Sequence, residues 1–260
     1  MFARCSAWGW VAVIVTLAGC DDKPAASQAS TERRAEVPSP AVSVAKPPPD
    51  PLAGLVVDDL GLYLQTHRID LAAKDAEERI KGSLRDLPLK QKAVPISASR
   101  NAKVQHVGVL ARALGAAGAS EIDVRTPDRT GAEVVLKLLP EELAGAQVQD
   151  CSVVAMIKKD NTSAVWRLKG GTASKFMKGL AGPDMSMTYD GMKDQMGSCA
   201  STNWFLAGED NVIWGLVFDL GQIVAKADPP PKATQAVILY QAPVAGRAVQ
   251  YARGSSPLRP

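Results

Sequence analysis

Residues 93–126, AVPISASRNAKVQHVGVLARALGAAGASEIDVRT, decide how this chain is read. AVPISAS has the character of a strand entered past Pro95. Ser99 or Asn101 is then placed to cap a helix in which Val104, Val107, Leu110, Ala111 and Leu114 fall on one apolar face, with Gly115 to Gly118 ending it. SEIDVRT alternates as a strand with one buried face should. Strand, helix and strand in this order need flanking strands to complete a sheet, and the neighbouring sequence supplies them.

Upstream, GLVVDDLGLYLQTHRIDL (54–71) breaks into two β-rich runs around Asp58-Asp59-Leu60-Gly61, a glycine-closed acidic turn that signals a hairpin. AKDAEERIKGSLRDLP (73–88) then spaces Ala76, Ile80, Ser83, Leu84 and Leu87 as a short amphipathic helix, with acids early, Arg85 late and Pro88 as the stop. Downstream, AEVVLKLLP (132–140) adds a strand after the Pro127-Asp128 turn. The predicted order over residues 53–140 is β-β-α-β-α-β-β, a two-layer α+β sandwich.

A second unit is expected over residues 145–226, joined to the first by the helix or loop EELAGAQVQD. CSVVAMIKKDNTSAVWRL (151–168) reads as a hairpin turning at Lys159-Asp160-Asn161. A glycine-rich segment follows, then a short helix around Tyr189 to Met196, then a second hairpin turning at Gly208-Glu209-Asp210-Asn211. Trp166, Trp204, Trp214, Phe205 and Phe218 supply its large core side chains. The expected fold class is thus α+β in two small domains, the second β-rich with one short helix. Residues 227–260 read as a Pro-rich flexible tail, apart from an apolar stretch at 234–242 suited to adding an edge strand in cis or in trans.

The segment 93–126, with the strand pair and helix before it, resembles the periplasmic domain of the ExbD/TolR biopolymer-transport family. The likeness rests on the strand ending in a polar turn, the helix after a small basic cluster, the Leu/Ala-rich face, the Ala-Gly exit and the closing strand ending in Thr126. The motor members of that family carry an N-terminal membrane helix with a proton-linked aspartate, and no position here is equivalent to it. What the resemblance implies is the remaining property of such domains: pairing of two copies, and peptide binding along sheet edges or a helix face. Asp70, Arg100 and Arg112 flank these elements and are read as a solvated rim.

The first nineteen residues, MFARCSAWGWVAVIVTLAG, set Arg4 before an apolar run too short to span a bilayer, which needs about 20 apolar residues. Leu17-Ala18-Gly19-Cys20 then resembles a bacterial lipoprotein signal, cleaved before Cys20, whose thiol carries the lipid. Residues 1–19 are therefore expected to be a signal peptide. Residues 20–52 are a Pro/Ala/Ser tether with little to bury, holding the folded part off the membrane at about 3 Å per residue if extended. The expected location is the periplasmic face of the cell envelope, reached through this lipid.

Function classes narrow by chemistry. A net charge of +3 without a dense basic block, and 5% aromatic residues, give no nucleic-acid footprint. Gly170-Gly171-Thr172-Ala173-Ser174-Lys175 lacks the spacing of a phosphate loop, and Ser43-Val44-Ala45-Lys46 lies in the tether with no fold to position a nucleophile. Cys151 and Cys199 are read as a structural disulfide closing a loop of about 48 residues, worth about 4 kcal/mol in the chain-entropy model. No His partners them as zinc ligands, and a redox pair would show C-x-x-C. His67 and His106 have no Ser, Cys or paired carboxylate at a diagnostic spacing. No catalytic residue, cofactor or metal site is expected, and the chain reads as a non-enzymatic binding or scaffolding component with envelope proteins as partners. The alternative is an exported enzyme or small-molecule binder with a site around Lys175, Asp184 and Asp219.

Overall fold

The computed structural model describes residues 52–251, apart from 65, 66, 72, 145–147, 181 and 228–232. The expected signal, Cys20 and residues 20–51 of the expected tether therefore lie outside the described residues, while Leu52 is buried in the core. The chain opens with a three-strand meander, β1 (Leu55–Val57), β2 (Leu62–Leu64) and β3 (His67–Ile69), where the sequence predicted two strands. The acidic turn forms as expected: the Asp58 carboxylate accepts the Leu60 and Gly61 N–H groups, each at 2.9 Å. Then come α1 (Ala76–Leu84), β4 (Ala93–Ala98), α2 (Val104–Ala116), β5 (Glu121–Pro127) and β6 (Glu133–Leu139). Every residue assigned to the α2 apolar face is buried.

A short helix, α3 (Glu141–Ala144), leads to β7 (Val153–Ile157), β8 (Ser163–Arg167) and β9 (Ser174–Phe176), a second meander. Asn161 sits at φ 60° in the β7–β8 turn, a left-handed position that asparagine tolerates. A small hairpin, β10 (Lys178–Gly179) with β11 (Gly182–Pro183), precedes α4 (Met185–Met196). The chain finishes with β12 (Asn203–Gly208), α5 (Trp214–Ala225) and β13 (Gln235–Ile238).

The expected division into domains at 53–140 and 145–226 is not what forms. All strands except the β10–β11 hairpin join one 11-stranded sheet, ordered β3-β2-β1-β4-β5-β6-β13-β12-β7-β8-β9. One hydrophobic core on a single face collects side chains from α1, α2, α4 and α5 alike. Within the sheet the two halves trace the same path. β1, β2, β3, α1, β4, α2 and β5 repeat as β7, β8, β9, α4, β12, α5 and β13, with antiparallel meanders and with parallel β1–β4, β4–β5, β7–β12 and β12–β13 pairs. The two copies meet through β6, antiparallel to β5 and parallel to β13.

Two further expectations are corrected. The Gly208–Asn211 turn leads into a helix, not a second hairpin strand. VIWGLVFDL is rich in β-formers, but Trp214, Val217, Phe218, Gly221 and Val224 recur at helical spacing and are all buried, so core packing overrides propensity. The expected tail contains β13, which sits between β6 and β12 in the middle of the sheet instead of at an edge. Its Ala236 and Ile238 face the helices, while Val237 and Leu239 belong to a second apolar cluster on the opposite face.

That opposite face distinguishes the halves. In the first it is polar and open, with Glu121, Asp123 and Lys137 forming ion pairs at 2.7 and 3.9 Å. In the second it is apolar and covered by residues 245–251. The covering segment is held by Trp166 Nε1–H donating to the Arg247 carbonyl at 3.0 Å, Gly171 N–H to Gly246 O at 2.9 Å and Val249 N–H to Leu168 O at 2.8 Å. Burial on both faces explains why β7, β8 and β12 read as nearly continuous apolar runs. The Cys151–Cys199 disulfide forms as expected and ties the approach to β7 to the approach to its parallel neighbour β12.

Truncation after Ala227 removes β13 and the covering segment together. We expect the truncated chain to lose cooperative unfolding in circular dichroism; a flexible tail would leave the melt unchanged.

Candidate binding grooves at the junction of the halves

The starts of α2 and α5 lie side by side, and each completes the other. Lys103 and Ile213 form an antiparallel bridge. Around it Val104 N–H donates to Val212 O at 2.9 Å, and Trp214 N–H donates to Ala102 O at 2.6 Å. A helix start leaves its first N–H groups without partners inside the helix. Here backbone from the opposite half meets that need, and neither Lys103 nor Ile213 makes a side-chain cap, contrary to the expectation for Ser99 or Asn101.

Side chains reinforce the crossing. The Arg100 guanidinium reaches from the turn before α2 to Asp219 on α5, with Nη1 and Nη2 donating to the two carboxylate oxygens at 2.9 and 2.8 Å. Arg100 also donates to Gly215 O at 3.3 Å and Pro127 O at 3.2 Å. The ion pair raises the already high pKa of Arg100, the hydrogen bond to Asp219 being the larger cause. Arg129 Nε joins the same carboxylate at 2.9 Å. In the mirrored place, Asp210 before α5 accepts from Gln105 on α2. Trp214 Nε1–H donates to the buried Thr126 hydroxyl at 2.8 Å, linking α5 to β5.

Two glycines allow the close approach. A Cβ on Gly215 would meet Arg100 atoms at 3.1 Å, and one on Gly108 would meet the backbone of Leu239 and Tyr240 at 3.3 Å. Arg100 is thus a tie between halves and not the rim residue the sequence suggested. Arg112 stacks over the Tyr240 ring at 4.4 Å, also across the junction. The backbone carbonyl of Asp70 accepts the Ala73 N–H at 3.2 Å.

Two grooves flank this crossing, each walled by both halves. One, of about 410 Å³, lies between α5 and the turn after β5; Phe218, Ile223, Met185 and Val134 make its apolar floor, and Asp128, Arg129, Asp219 and Lys226 its charged rim. The other, of about 550 Å³, lies between α2 and the chain after β13, and is more polar, with Lys103, Gln105, His106, Asp210 and Tyr240. His106 sits there half-buried, its Nδ1 3.4 Å from the Asp58 carbonyl oxygen. Burial, the largest influence, pushes its pKa below the ordinary value.

The sheet edges are less open than the sequence suggested. β3 and β9 are three residues each, carry Arg68 and Lys175, and Arg79 Nη2 donates to the Arg68 carbonyl at 3.4 Å. Short charged edges resist strand addition, so the helix-side grooves are the better binding surfaces. His67 is exposed on β3. Lys175, Asp184 and Asp219 do not form one cluster: Lys175 lies on β9 beside Lys158 and Lys159, Asp184 caps α4 by accepting the Met187 N–H at 3.0 Å, and Asp219 is held by two arginines. The Gly170–Lys175 segment is a connection between strands, with Gly170 and Gly171 at positive φ. No group of metal-binding side chains occurs among the described residues. Comparison with models of protein families, with curated proteins and with solved structures gives no match to this chain.

Arg100→Ala leaves Asp219 paired with the exposed Arg129 alone. The expected loss is about 2 kcal/mol, intermediate between exposed and buried ion pairs. Chemical denaturation checks it, and Arg129→Ala should cost less than half as much.

Proposed function

We propose that this chain is a lipid-anchored cell-envelope protein that acts by binding other envelope proteins, as an accessory or scaffold of a biopolymer-transport or tethering system of the ExbD/TolR kind. The observation that carries the reading is the pair of grooves built across the junction, since neither would exist in a single half. The resemblance in residues 93–126 supports an ExbD/TolR-like unit in the first half, and the repeated path extends that likeness to the second. Pairing of two such units is then accomplished within one chain. Among the described residues no helix is long and apolar enough to cross a membrane. The lipid on Cys20 supplies the anchor, with the periplasmic face as location, and the tether lets the folded part reach partners away from the bilayer.

Catalysis has weaker support. The carboxylates of Asp184 and Asp219, two of the three residues of the enzymatic alternative, are used to cap a helix and to tie the halves. A groove with an apolar floor and a rim carrying both charge signs suits a partly apolar segment of a protein partner.

The test is photo-crosslinking in membrane fractions, with the reactive residue at Ile223 or Gln241 in the grooves and at Lys137 on the polar face as control. The reading predicts transport or envelope-tethering proteins at the groove positions only. It also predicts that Cys20→Ala moves the chain out of the membrane fraction. A lone uncrosslinked monomer, or a Cys20→Ala chain that stays bound, contradicts it.

A further inference from the structure

Of the buried tryptophans Trp166, Trp204 and Trp214, two have partners for their indole N–H groups. Trp166 Nε1–H donates to the Arg247 carbonyl at 3.0 Å and Trp214 Nε1–H to the Thr126 hydroxyl at 2.8 Å. Trp204, near the start of β12, is 1% exposed, yet nothing among the described residues accepts its indole N–H. A buried indole N–H ordinarily finds an acceptor. The atom is not one of those sealed away from solvent, and the residue borders a cavity of about 270 Å³.

The cavity arises from the way β6 is shared between its neighbours. β6 follows β5 through six residue pairs, from Ile122 with Leu138 to Pro127 with Glu133, but pairs with β13 only at Leu138 with Ala236 and Leu139 with Val237. Ahead of those two pairs the strands part, and the Val135 carbonyl there accepts from the Gln222 side chain at 2.8 Å. Leu136, Trp204, Val224 and Ala236, all members of the helix-side core, line the gap. Its polar side chains are Thr234 and Lys137, and the Lys137 ammonium is turned to Glu121 at 2.7 Å. Among the described residues no carboxylate lines it.

We propose that this cavity is a binding site for a small uncharged molecule, a single ring bearing a carbonyl, whose oxygen accepts the Trp204 indole N–H while the ring packs against Leu136, Val224 and Ala236. Apolar cavities of about 150 Å³ already take up benzene, so the volume here holds a ring together with its polar substituent. The indole donor selects that substituent: a hydrocarbon that displaces water leaves the N–H unpaired, whereas a carbonyl oxygen pairs it. The lining selects against charge, because an ammonium finds no carboxylate there and a carboxylate finds Lys137 already engaged. None of the lining residues lines either groove at the junction, and the ligand needs no membrane, so the site stands apart from the function proposed above.

The experiment titrates acetophenone into residues 20–260 carrying Cys20→Ala and follows the indole N–H signals by proton–nitrogen correlation NMR. Residues 20–260 contain only Trp166, Trp204 and Trp214, so each signal is assignable by substitution. We expect the Trp204 signal to move and to saturate, while those of Trp166 and Trp214, whose N–H groups are already bonded, stay in place. Trp204→Phe keeps an aromatic ring and removes the donor; read at the Val224 and Ala236 amides, it should weaken binding about fivefold, the worth of one neutral hydrogen bond. Ala225→Leu, at an exposed position on the cavity wall, should abolish binding with the denaturation midpoint unchanged. A Trp204 signal that stays still overturns the proposal, as do indole signals that all move alike, full affinity in Trp204→Phe, or full affinity in Ala225→Leu. Should Trp204→Phe fail to fold, Ala225→Leu still decides. Crosslinking at the grooves is read separately, so either proposal can fail without the other.

Discussion

Everything in this structure depends on the exchange of backbone hydrogen bonds between residues 102–104 and 212–214. Each helix start lacks partners of its own, and each takes a carbonyl from the other half. Buried backbone donors that go unpaired cost a few kcal/mol each, so neither half is complete alone. At the same junction β6 and β13 pair in parallel, so that a six-stranded and a five-stranded piece form one sheet. Arg100, Gly215 and Trp214 refine a geometry that the backbone has already set.

Much of the local structure was legible in the sequence, because local structure is written in local spacing. The acidic turn at Asp58, the α2 face from Val104 to Leu114, the Lys159–Asn161 turn and the Cys151–Cys199 pair all form where composition and periodicity put them. What the sequence concealed is non-local. Val104 and Val212 are over a hundred residues apart, and nothing in the polar stretch after Pro140 announces that the sheet continues. The prolines at 229–231 suggested a tail, yet the short apolar run after them is a central strand. The run at 212–220 misled for a different reason: a helix buried on most of its surface can be composed of residues that favour strands. Arg100 carried no sign of its partner, since the carboxylate that holds it is 119 positions away.

The asymmetry of the opposite face has a functional sense. The first half leaves its outer face polar and solvated, whereas the second covers an apolar face with residues 245–251. The grooves occupy the helix side, near the junction, where both halves contribute walls. A chain that pairs its two units internally does not depend on concentration to make such composite surfaces, in contrast to a dimer assembled from separate copies. Under the proposed function, that makes the binding surface permanent.

One folded unit, held at the junction, should unfold as one. Calorimetry of residues 20–260 carrying Cys20→Ala tests this most directly. The account predicts a single transition whose van't Hoff and calorimetric enthalpies agree, shifted as a whole when the Cys151–Cys199 bond is reduced. Two resolved transitions, of which reduction of that bond moves only one, would contradict it.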